Sequence, residues 1–215
     1  MSEEAERGQP DDQLSNAREM RVPVTHLINA TLDGRCDHRS VVADDDLHAH
    51  ALETIADADL ILFGSGTYQL LAPYWSRAAE EKSGTAVVNE FAAVFAAKPK
   101  LLFSATAQPW PAWNTTVDTT DPRLRVPELL SAGKERLVVQ ASPQLARSLR
   151  RAGLVDFLRL LLQPMVAGVG PALFGPDERY EDLILRSARV TGSGAAALDY
   201  AFPSRTEPPK RDGSR

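Results

Sequence analysis

A short apolar run that passes through glycines into a helix start constrains this chain more than any other segment. Leu60-Ile61-Leu62-Phe63 has the composition of a buried strand, Gly64-Ser65-Gly66 predicts a tight turn, and Thr67-Tyr68 opens a predicted helix. The first amides of a helix lack intrahelical acceptors and the helix dipole is positive there, so such a junction can bind a phosphate. Gly-x-Gly also occurs where a chain merely bends, so both interpretations stay open.

Strands alternate with helices along the chain, which predicts a largely parallel sheet with helices on both faces. The patterns predict strands at residues 22–29, 60–63, 100–104, 115–117, 136–140, 155–162, 183–190 and 196–202. They predict helices at residues 44–58, 67–79, 85–97, 122–133 and 142–152. The last two strands follow each other without a helix and predict an antiparallel hairpin that finishes the sheet. The expected fold class is α/β.

Both ends of the chain lack hydrophobic periodicity. Residues 1–20 are rich in Glu, Asp, Gln and Arg, and residues 203–215 contain three prolines. Such segments cannot bury enough apolar surface to fold, so we expect two disordered tails. The expected folded unit is a single domain that spans residues 21–202.

Charge and cysteine content exclude several classes of protein. The net charge of the 215 residues is -5, so no basic excess suggests nucleic acid or an anionic membrane as a partner. No apolar run approaches the ~18 residues that a membrane-spanning helix needs. Cys36 is the only cysteine, which excludes an intramolecular disulfide and fits a reducing cytoplasm. An anionic ligand would therefore need local donors.

A second strand-to-helix junction lies at residues 138–143 (Val-Val-Gln-Ala-Ser-Pro). Ser142 is the expected N-cap and Pro143 the first helical residue. The ligands of open α/β sheets bind at the carboxyl ends of the strands, so two such junctions could line one crevice. The alternative is two ordinary turns without a ligand.

Two further features have both a structural and a functional interpretation. Residues 31–34 (Thr-Leu-Asp-Gly) predict a turn, and the turn could carry the carboxylate of Asp33 to the crevice. The aromatic residues Trp75, Trp110 and Trp113 are expected to pack in the core rather than stack on bases. Walker, Gly-x-Ser-x-Gly and Gly-x-Gly-x-x-Gly sequences do not occur, so a standard dinucleotide fold is not predicted.

A group of histidines and carboxylates at residues 37–50 has the residue types of a divalent-metal site, with His26 upstream. His48 and His50 are two residues apart in a predicted helix and would point to different faces. We therefore favour a solvated acidic loop and helix start, and predict no metal site. The members of this group are Asp37, His38, Asp44, Asp45, Asp46, His48 and His50.

Five pieces of sequence occur in an order that resembles a known family. They are residues 29–34, residues 58–68 with Tyr74-Trp75, residues 100–104, residues 153–156, and residues 163–170 with Leu173-Phe174. In this order the chain resembles the dihydrofolate reductase-like family, in the bacterial branch related to the reductase domain of riboflavin biosynthesis (the RibD C-terminal domain). The resemblance spans about residues 22–202.

The resemblance implies an NADPH-dependent reductase that transfers a hydride to a small heteroaromatic (pterin- or pyrimidine-like) or carbonyl compound. It implies that Asp33 is the catalytic residue, orienting the substrate or relaying a proton. It also implies a homodimer, for which Phe157 and the apolar run Leu158, Leu160, Leu161 and Leu162 could form the interface, unless they are sheet core. The implied cofactor-binding residues are Asn29, Ala30, Thr31, Gly64, Ser65, Gly66, Thr67, Tyr68, Ser104, Thr106, Gln140, Ala141, Ser142 and Pro143.

Within this set, residues 29–31 would meet the nicotinamide, and Gly66, Thr67 and Tyr68 would hold a phosphate. Ser104 and Thr106 would lie near the adenosine ribose and its 2′-phosphate, and residues 141–143 near the pyrophosphate. These assignments follow from the resemblance alone.

The chain departs from the family pattern at three positions. Relatives carry glycine at Gln140-Ala141, an arginine near Ser65, and an acidic residue, close to the substrate, where this chain has Phe157. These departures leave two alternatives to the reductase. One is a ligand-binding protein that keeps the fold without turnover, and the other is a flavin-binding variant.

Overall fold

Eight strands in one sheet and five helices make up the part of the chain that this computed structural model describes, residues 24–106, 112–134, 136–176, 178 and 181–203. The strands are β1 (Val24–Thr31), β2 (Leu60–Gly64), β3 (Lys100–Phe103), β4 (Thr115–Asp118), β5 (Leu137–Gln140), β6 (Phe157–Gln163), β7 (Ile184–Val190) and β8 (Ala196–Ala201). The helices are α1 (Asp45–Asp57), α2 (Ser65–Glu81), α3 (Ala86–Ala97), α4 (Pro122–Ser131) and α5 (Pro143–Arg151).

The strand order across the sheet is β4-β3-β2-β5-β1-β6-β8-β7. The first six strands in this order are parallel to one another, and β8 runs antiparallel to both of its neighbours. The predicted α/β class, the mostly parallel sheet and the C-terminal hairpin are confirmed. The predicted tails at residues 1–20 and 203–215 lie, except for Pro203, outside the described residues, so the domain bounds stay a prediction.

Side chains of the buried strands alternate between the two faces of the sheet, and a hydrophobic core forms on each face. In β2, Leu60 and Leu62 pack with α4 and α5 on one face, whereas Ile61 and Phe63 pack with α1, α2 and α3 on the other. A strand covered on both faces has no polar alternation, which is why residues 60–63 are continuously apolar. The helices on both faces hold the parallel strands with all their carboxyl ends at one edge.

The apolar run of β6 is core and not an interface. Leu158, Leu160 and Leu161 are at most 8% exposed, and β6 is paired on both sides, with β1 and β8. The expectation that this strand could form a dimer interface is therefore wrong. A central strand of a covered sheet has no free surface for a partner.

The acidic and histidine-rich segment separates into an exposed and a buried part. Asp44 caps α1 by accepting a hydrogen bond from the Leu47 N–H at 2.7 Å, and Asp45 is exposed as predicted. His48 and His50 are buried, so the solvated interpretation is wrong for these two side chains. Among the described residues, no group of three or more His, Cys, Asp or Glu side chains is arranged to hold a metal ion.

The aromatic residues pack as predicted where the structure describes them. Trp113 is 4% exposed and lies edge-on to Phe95, with 4.6 Å between ring centroids. Trp75 makes a similar contact with Phe91 at 4.6 Å. Trp110 lies outside the described residues. In the described ranges, no helix has the length and apolar character needed to cross a membrane.

Candidate functional site

The carboxyl ends of five parallel strands meet at one edge of the sheet. β3, β2, β5, β1 and β6 are consecutive neighbours in that order. Adjacent strands are about 4.8 Å apart, so the ends of β1 and β2 lie about 10 Å from each other on the two sides of β5. Sequence-predicted site residues at this edge are Asn29, Ala30 and Thr31 in β1, Gly64 in β2, Ser104 after β3, and Gln140 and Ala141 at the end of β5.

The two strand-to-helix junctions are hydrogen-bonded directly to each other. The Gly64 N–H donates to Ser142 Oγ at 3.0 Å, and the Ser142 N–H donates to Thr67 Oγ1 at 3.1 Å. Ser142 is 4% exposed, so water does not compete for these bonds. The starts of α2 and α5 are therefore fixed side by side, with two helix dipoles directed at the same rim.

The first turns of these helices leave backbone donors unsatisfied within the helix. In α2 these are the amides of Ser65, Gly66 and Thr67, and in α5 those of Gln144 and Leu145. α2 begins at Ser65, so Gly64 is the N-cap and no separate tight turn precedes the helix. The strand passes directly into the helix.

Open space lies against the backbone of Gly66. A Cβ atom built on Gly66 would have no neighbouring atom within 4 Å, and Gly66 is exposed. By contrast, a Cβ atom on Gly64 would lie 3.8 Å from Ser142 and Leu145. A ligand can therefore approach the amides of α2 at Gly66, while Gly64 is covered by the second junction.

Tyr68 belongs to the core. Its side chain is fully buried, its hydroxyl donates to Thr115 Oγ1 at 2.9 Å, and its ring packs edge-on against Phe63. The side chain cannot reach a ligand at the carboxyl edge. The expectation that Tyr68 holds a phosphate is therefore wrong for its side chain. The apolar pattern of a helix that faces the core could have identified Tyr68 as a packing residue.

The turn after β5 has an unusual backbone. Ala141 and Ser142 have φ values of 47° and 46°, the left-handed region that costs a residue with a Cβ about 1–2 kcal/mol. The Ala141 N–H donates to the Leu27 carbonyl at 2.7 Å, which holds one side of the turn. Ser142 precedes α5 as predicted, but its hydroxyl accepts from Gly64 and makes no capping bond to its own helix.

His26 holds the other side of this turn, a role that the sequence did not suggest. Its Nε2–H donates to the Ala141 carbonyl at 2.7 Å, and the ring is fully buried. Burial is the main cause that lowers the pKa of His26 to about 3, so the ring is neutral at physiological pH. The sequence carries no clear signal for this role, because Thr25, Asn29 and Thr31 are also polar residues of β1.

Residues 31–34 form the predicted turn. The Gly34 N–H donates to the Thr31 carbonyl at 2.8 Å, and Gly34 has a φ of 72°, which glycine adopts without strain. The Leu32 N–H donates to the Met165 carbonyl at 2.9 Å. The turn after β1 is thereby joined to the segment that follows β6.

Asp33 strengthens this connection through its carboxylate. It accepts hydrogen bonds from the Ala167 N–H at 3.0 Å, the Gly168 N–H at 2.8 Å and the Thr31 hydroxyl. The Thr31 hydroxyl first, then the Ala167 N–H, lower the pKa of Asp33 to about 2. A carboxylate with this pKa is ionised at neutral pH and is a poor proton donor. Through these hydrogen bonds the Asp33 carboxylate holds the loop at residues 165–170 in position.

Ser104, Thr106 and Asn29 are held by local hydrogen bonds. The Ser104 hydroxyl donates to the Thr106 carbonyl at 3.0 Å, and Thr106 is exposed. Asn29 Oδ1 accepts from Gln163 Nε2 at 3.1 Å, which fixes the amide at the end of β1. Ala30 and Thr31 are at most 2% exposed, so the backbone is what these two residues offer to a ligand.

Phe157 lies at the amino ends of the parallel strands, opposite the carboxyl edge. It begins β6 and pairs with Thr25, six residues before Thr31. Six residues of extended strand span about 20 Å, so position 157 is far from the carboxyl edge. Position 157 is therefore separated by most of the strand's length from the residues that were predicted to form the site. The departure at Phe157 therefore carries no information about chemistry at the carboxyl edge.

Comparison with known proteins identifies the family and the fold. The RibD C-terminal domain family matches residues 24–197. A riboflavin biosynthesis protein from Shewanella sp. PV-4 is 16% identical with a TM-score of 0.66, over 85% of this chain and 99% of that one. A pyrimidine reductase-like protein from Corynebacterium diphtheriae is 14% identical with a TM-score of 0.59, over 85% and 92%.

A third similar structure is longer than this chain. It is a diaminohydroxyphosphoribosylaminopyrimidine deaminase/5-amino-6-(5-phosphoribosylamino)uracil reductase from Thermotoga maritima, 14% identical with a TM-score of 0.61. The match covers 88% of this chain and 59% of the Thermotoga chain. At these identities the structural likeness shows the fold alone. No curated protein matches the sequence significantly.

We predict that Ala141→Gly raises the free energy of unfolding by about 1 kcal/mol, because glycine adopts the left-handed region without the Cβ penalty. Urea denaturation measures the change. The control is Ala152→Gly, which lies at the other end of α5 with a φ of -80° and should not stabilise the protein. A lower stability of Ala141→Gly than of the wild type would contradict the observed backbone.

Proposed function

The chain belongs to the RibD C-terminal domain family, and we propose that it is an NADPH-dependent reductase that transfers a hydride to a small heteroaromatic or carbonyl compound. One observation carries the proposal, the pair of hydrogen bonds that fixes the starts of α2 and α5 together at the carboxyl edge. A pyrophosphate carries more than one negative charge, and two convergent helix N-termini offer it donors from two directions.

The residues at this edge fit a dinucleotide. The amides of Ser65, Gly66 and Thr67 would bind phosphate from one helix, and those of Gln144 and Leu145 from the other. The open space at Gly66 leaves room for close approach to the backbone. The ends of β1 and β3 extend the same edge on both sides of these junctions, which suits a ligand with two separated rings.

When bound, NADPH would supply the hydride, and the protein would supply orientation and electrostatics. The backbone of residues 29–31 would position the reacting ring at the end of β1. We propose that Asp33 is a positioning residue, because its carboxylate is ionised and fully engaged with Thr31, Ala167 and Gly168. The proton that the substrate needs after the hydride would then come from water.

Apolar side chains beside this turn favour a planar organic substrate. Leu32, Val166 and Val169 are 62%, 72% and 65% exposed, and the Asp33 carboxylate joins the two segments that carry them. Exposed aliphatic side chains at one rim suit the face of a heteroaromatic ring. Because the Thermotoga relative is named as a uracil reductase, pyrimidine-like compounds are the first class to test, followed by pterins, quinones and aldehydes.

We expect the purified protein to bind NADPH saturably, and Gly66→Ala to weaken binding at least about tenfold while leaving stability unchanged or higher. The added methyl fills the space through which a phosphate would approach. Enhancement of nicotinamide fluorescence measures binding. Pro73→Ala is the control, because it improves the same helix at an exposed position away from the junction. The proposal fails if the wild type shows no saturable binding at millimolar NADPH.

The reaction is tested by transfer of deuteride from reduced, 4-deuterated NADPH to the panel of compounds. We expect transfer to at least one compound, and about a tenfold lower kcat/KM in Asp33→Asn, because the neutral amide holds the loop less firmly. If Asp33 were the proton donor, its loss would cost roughly 10²–10⁴-fold in kcat. NADPH binding without transfer to any compound would favour the non-catalytic alternative, and a yellow purified protein the flavin alternative.

We also propose a homodimer that forms at the outer edge of β7. Every residue of β7 is exposed, and Ile184, Leu185 and Val190 are 51%, 52% and 79% exposed. Within the described residues, β7 pairs with β8 alone, so its other edge presents free backbone groups. A second copy that adds its own β7 would cover both the apolar side chains and this edge.

We expect light scattering after size exclusion to give twice the chain mass of 23.4 kDa, and Val190→Lys to give the single-chain mass, because it places a charge in the interface. Leu124→Lys is the control, since Leu124 is 63% exposed on α4. A wild-type protein that is monomeric at 100 μM would contradict the dimer.

The proposed location is the cytoplasm. Cys36 is a free, half-buried thiol, and burial raises its pKa to about 12. A protonated thiol is unreactive, and no disulfide is needed for the fold. NADPH is also a cofactor of reducing compartments, so location and proposed activity agree.

A further inference from the structure

Gln163, the last residue of β6, is a buried amide that joins three parts of the carboxyl edge. It is fully buried, and it pairs with Thr31 across the sheet. The Val42 N–H donates to Gln163 Oε1 at 3.0 Å, and Gln163 Nε2 donates to Asn29 Oδ1 at 3.1 Å. Gln163 therefore connects β6, the end of β1 and the segment that leads into α1.

These two hydrogen bonds determine which way both amides point. A backbone N–H can only donate, so the Gln163 atom that bonds to Val42 is its oxygen. The other end of the Gln163 amide is then an NH2 group, which can only donate, so the Asn29 atom that it reaches is also an oxygen. The series of donors and acceptors has one direction, and the NH2 group of Asn29 stands at its end.

The NH2 group of Asn29 is an unused donor within the described part of the chain. No described residue accepts a hydrogen bond from Asn29 Nδ2, although Asn29 is half-buried. The other polar side chains at the end of β1, Thr31 and Asp33, are engaged with each other and with the amides of Ala167 and Gly168. A half-buried amide that is fixed at its oxygen and free at its nitrogen is suited to binding a ligand acceptor.

Asn29 lies between the starts of two helices on one face of the sheet. Side chains alternate along β1, so Asn29 shares the face of Leu27, which packs in one core with α1, α2 and α3. The carboxylates of Asp44 and Asp46 accept from the turn between β7 and β8, which places the start of α1 on the β8 side of β1. The start of α2 follows β2, on the other side of β1. The Asn29 amide therefore lies in the crevice between the two helix starts, beside the backbone proposed to hold the cofactor.

We propose that the Asn29 side chain donates a hydrogen bond to a carbonyl oxygen of the reductase substrate, and that Gln163 is a positioning residue that keeps this donor directed into the crevice. This role of Asn29 rests on the proposed reductase function, and it restricts the substrate to compounds that present an oxygen acceptor. A compound with an amino group in the same place would set two donors against each other. A donor left without an acceptor lowers affinity roughly tenfold or more.

The probes are two fluorescent pteridines of the same shape. Lumazine carries carbonyl oxygens at the two positions where 2,4-diaminopteridine carries amino groups. Changes in probe fluorescence measure the Kd of each in the presence of saturating NADP⁺. We expect the wild type to bind lumazine about tenfold more tightly than 2,4-diaminopteridine. Asn29→Asp should reverse this preference, because a carboxylate still accepts from Gln163 but presents an acceptor to the crevice.

Gln163→Met tests the positioning role. Without the Gln163 donor the Asn29 amide can turn either way, so the ratio of the two Kd values should approach one. A merely structural loss would weaken both probes alike and keep their ratio. Asn114→Asp is the matched control, because it makes the same change of amide to carboxylate directly before β4, at the amino edge, and should keep the wild-type preference.

A parallel titration with NADPH separates the role of Asn29 from the proposed function. If NADPH binds saturably but the wild type does not prefer lumazine, or Asn29→Asp does not reverse the preference, the role of Asn29 is overturned and the reductase proposal stands. The same holds if NADPH binds and neither probe does. An unchanged preference in folded Gln163→Met overturns the positioning role. If NADPH itself does not bind, both proposals fail.

Circular dichroism shows whether each variant is folded. Gln163→Met leaves the Val42 N–H without its acceptor, which lowers stability. If this variant does not fold, the reversal in Asn29→Asp still decides the role of Asn29, because position 29 is half-buried and the carboxylate keeps the bond from Gln163.

Discussion

Two hydrogen bonds between Gly64, Thr67 and Ser142 determine how the rest of the carboxyl edge is arranged. α2 and α5 pack on opposite faces of the sheet, so their starts approach each other only where β2 and β5 are adjacent. The Ser142 hydroxyl and amide join the two turns at that point. The result is one rim with two positive helix ends, which an isolated strand-to-helix junction does not provide.

Making this rim has local energetic costs. Two consecutive non-glycine residues, Ala141 and Ser142, adopt left-handed backbone conformations. His26 is buried in its neutral form, and its ring donates a hydrogen bond to the Ala141 carbonyl in this turn. Strain and buried polar groups of this kind persist where the surrounding structure holds them, and they concentrate at functional sites. Their position under the proposed phosphate contacts is therefore consistent with a binding function.

Much of the fold follows from local patterns in the sequence. Continuous apolar runs such as residues 60–63 identify the covered strands, and the uninterrupted succession of β7 and β8 identifies the hairpin. The sequence also placed residues 140–143 at the rim, because parallel strands end together. These inferences succeed since they depend on periodicity and on a general property of parallel sheets.

The failures have a different origin. The burial of His48 and His50 depends on which side chains the tertiary structure brings beside them, and local pattern does not contain that information. A cavity at the amino edge is lined by residues from five strands and α1, so no single segment could indicate it.

The most direct test of the joined junctions is a titration of ¹⁵N-labelled protein with NADPH, followed by amide chemical shifts. We expect the amides of Ser65 and Gly66 to shift together with those of Gln144 and Leu145, with one shared Kd, while the amide of Thr25 at the opposite edge does not shift. Shifts confined to one junction, or confined to the amino edge, would contradict it.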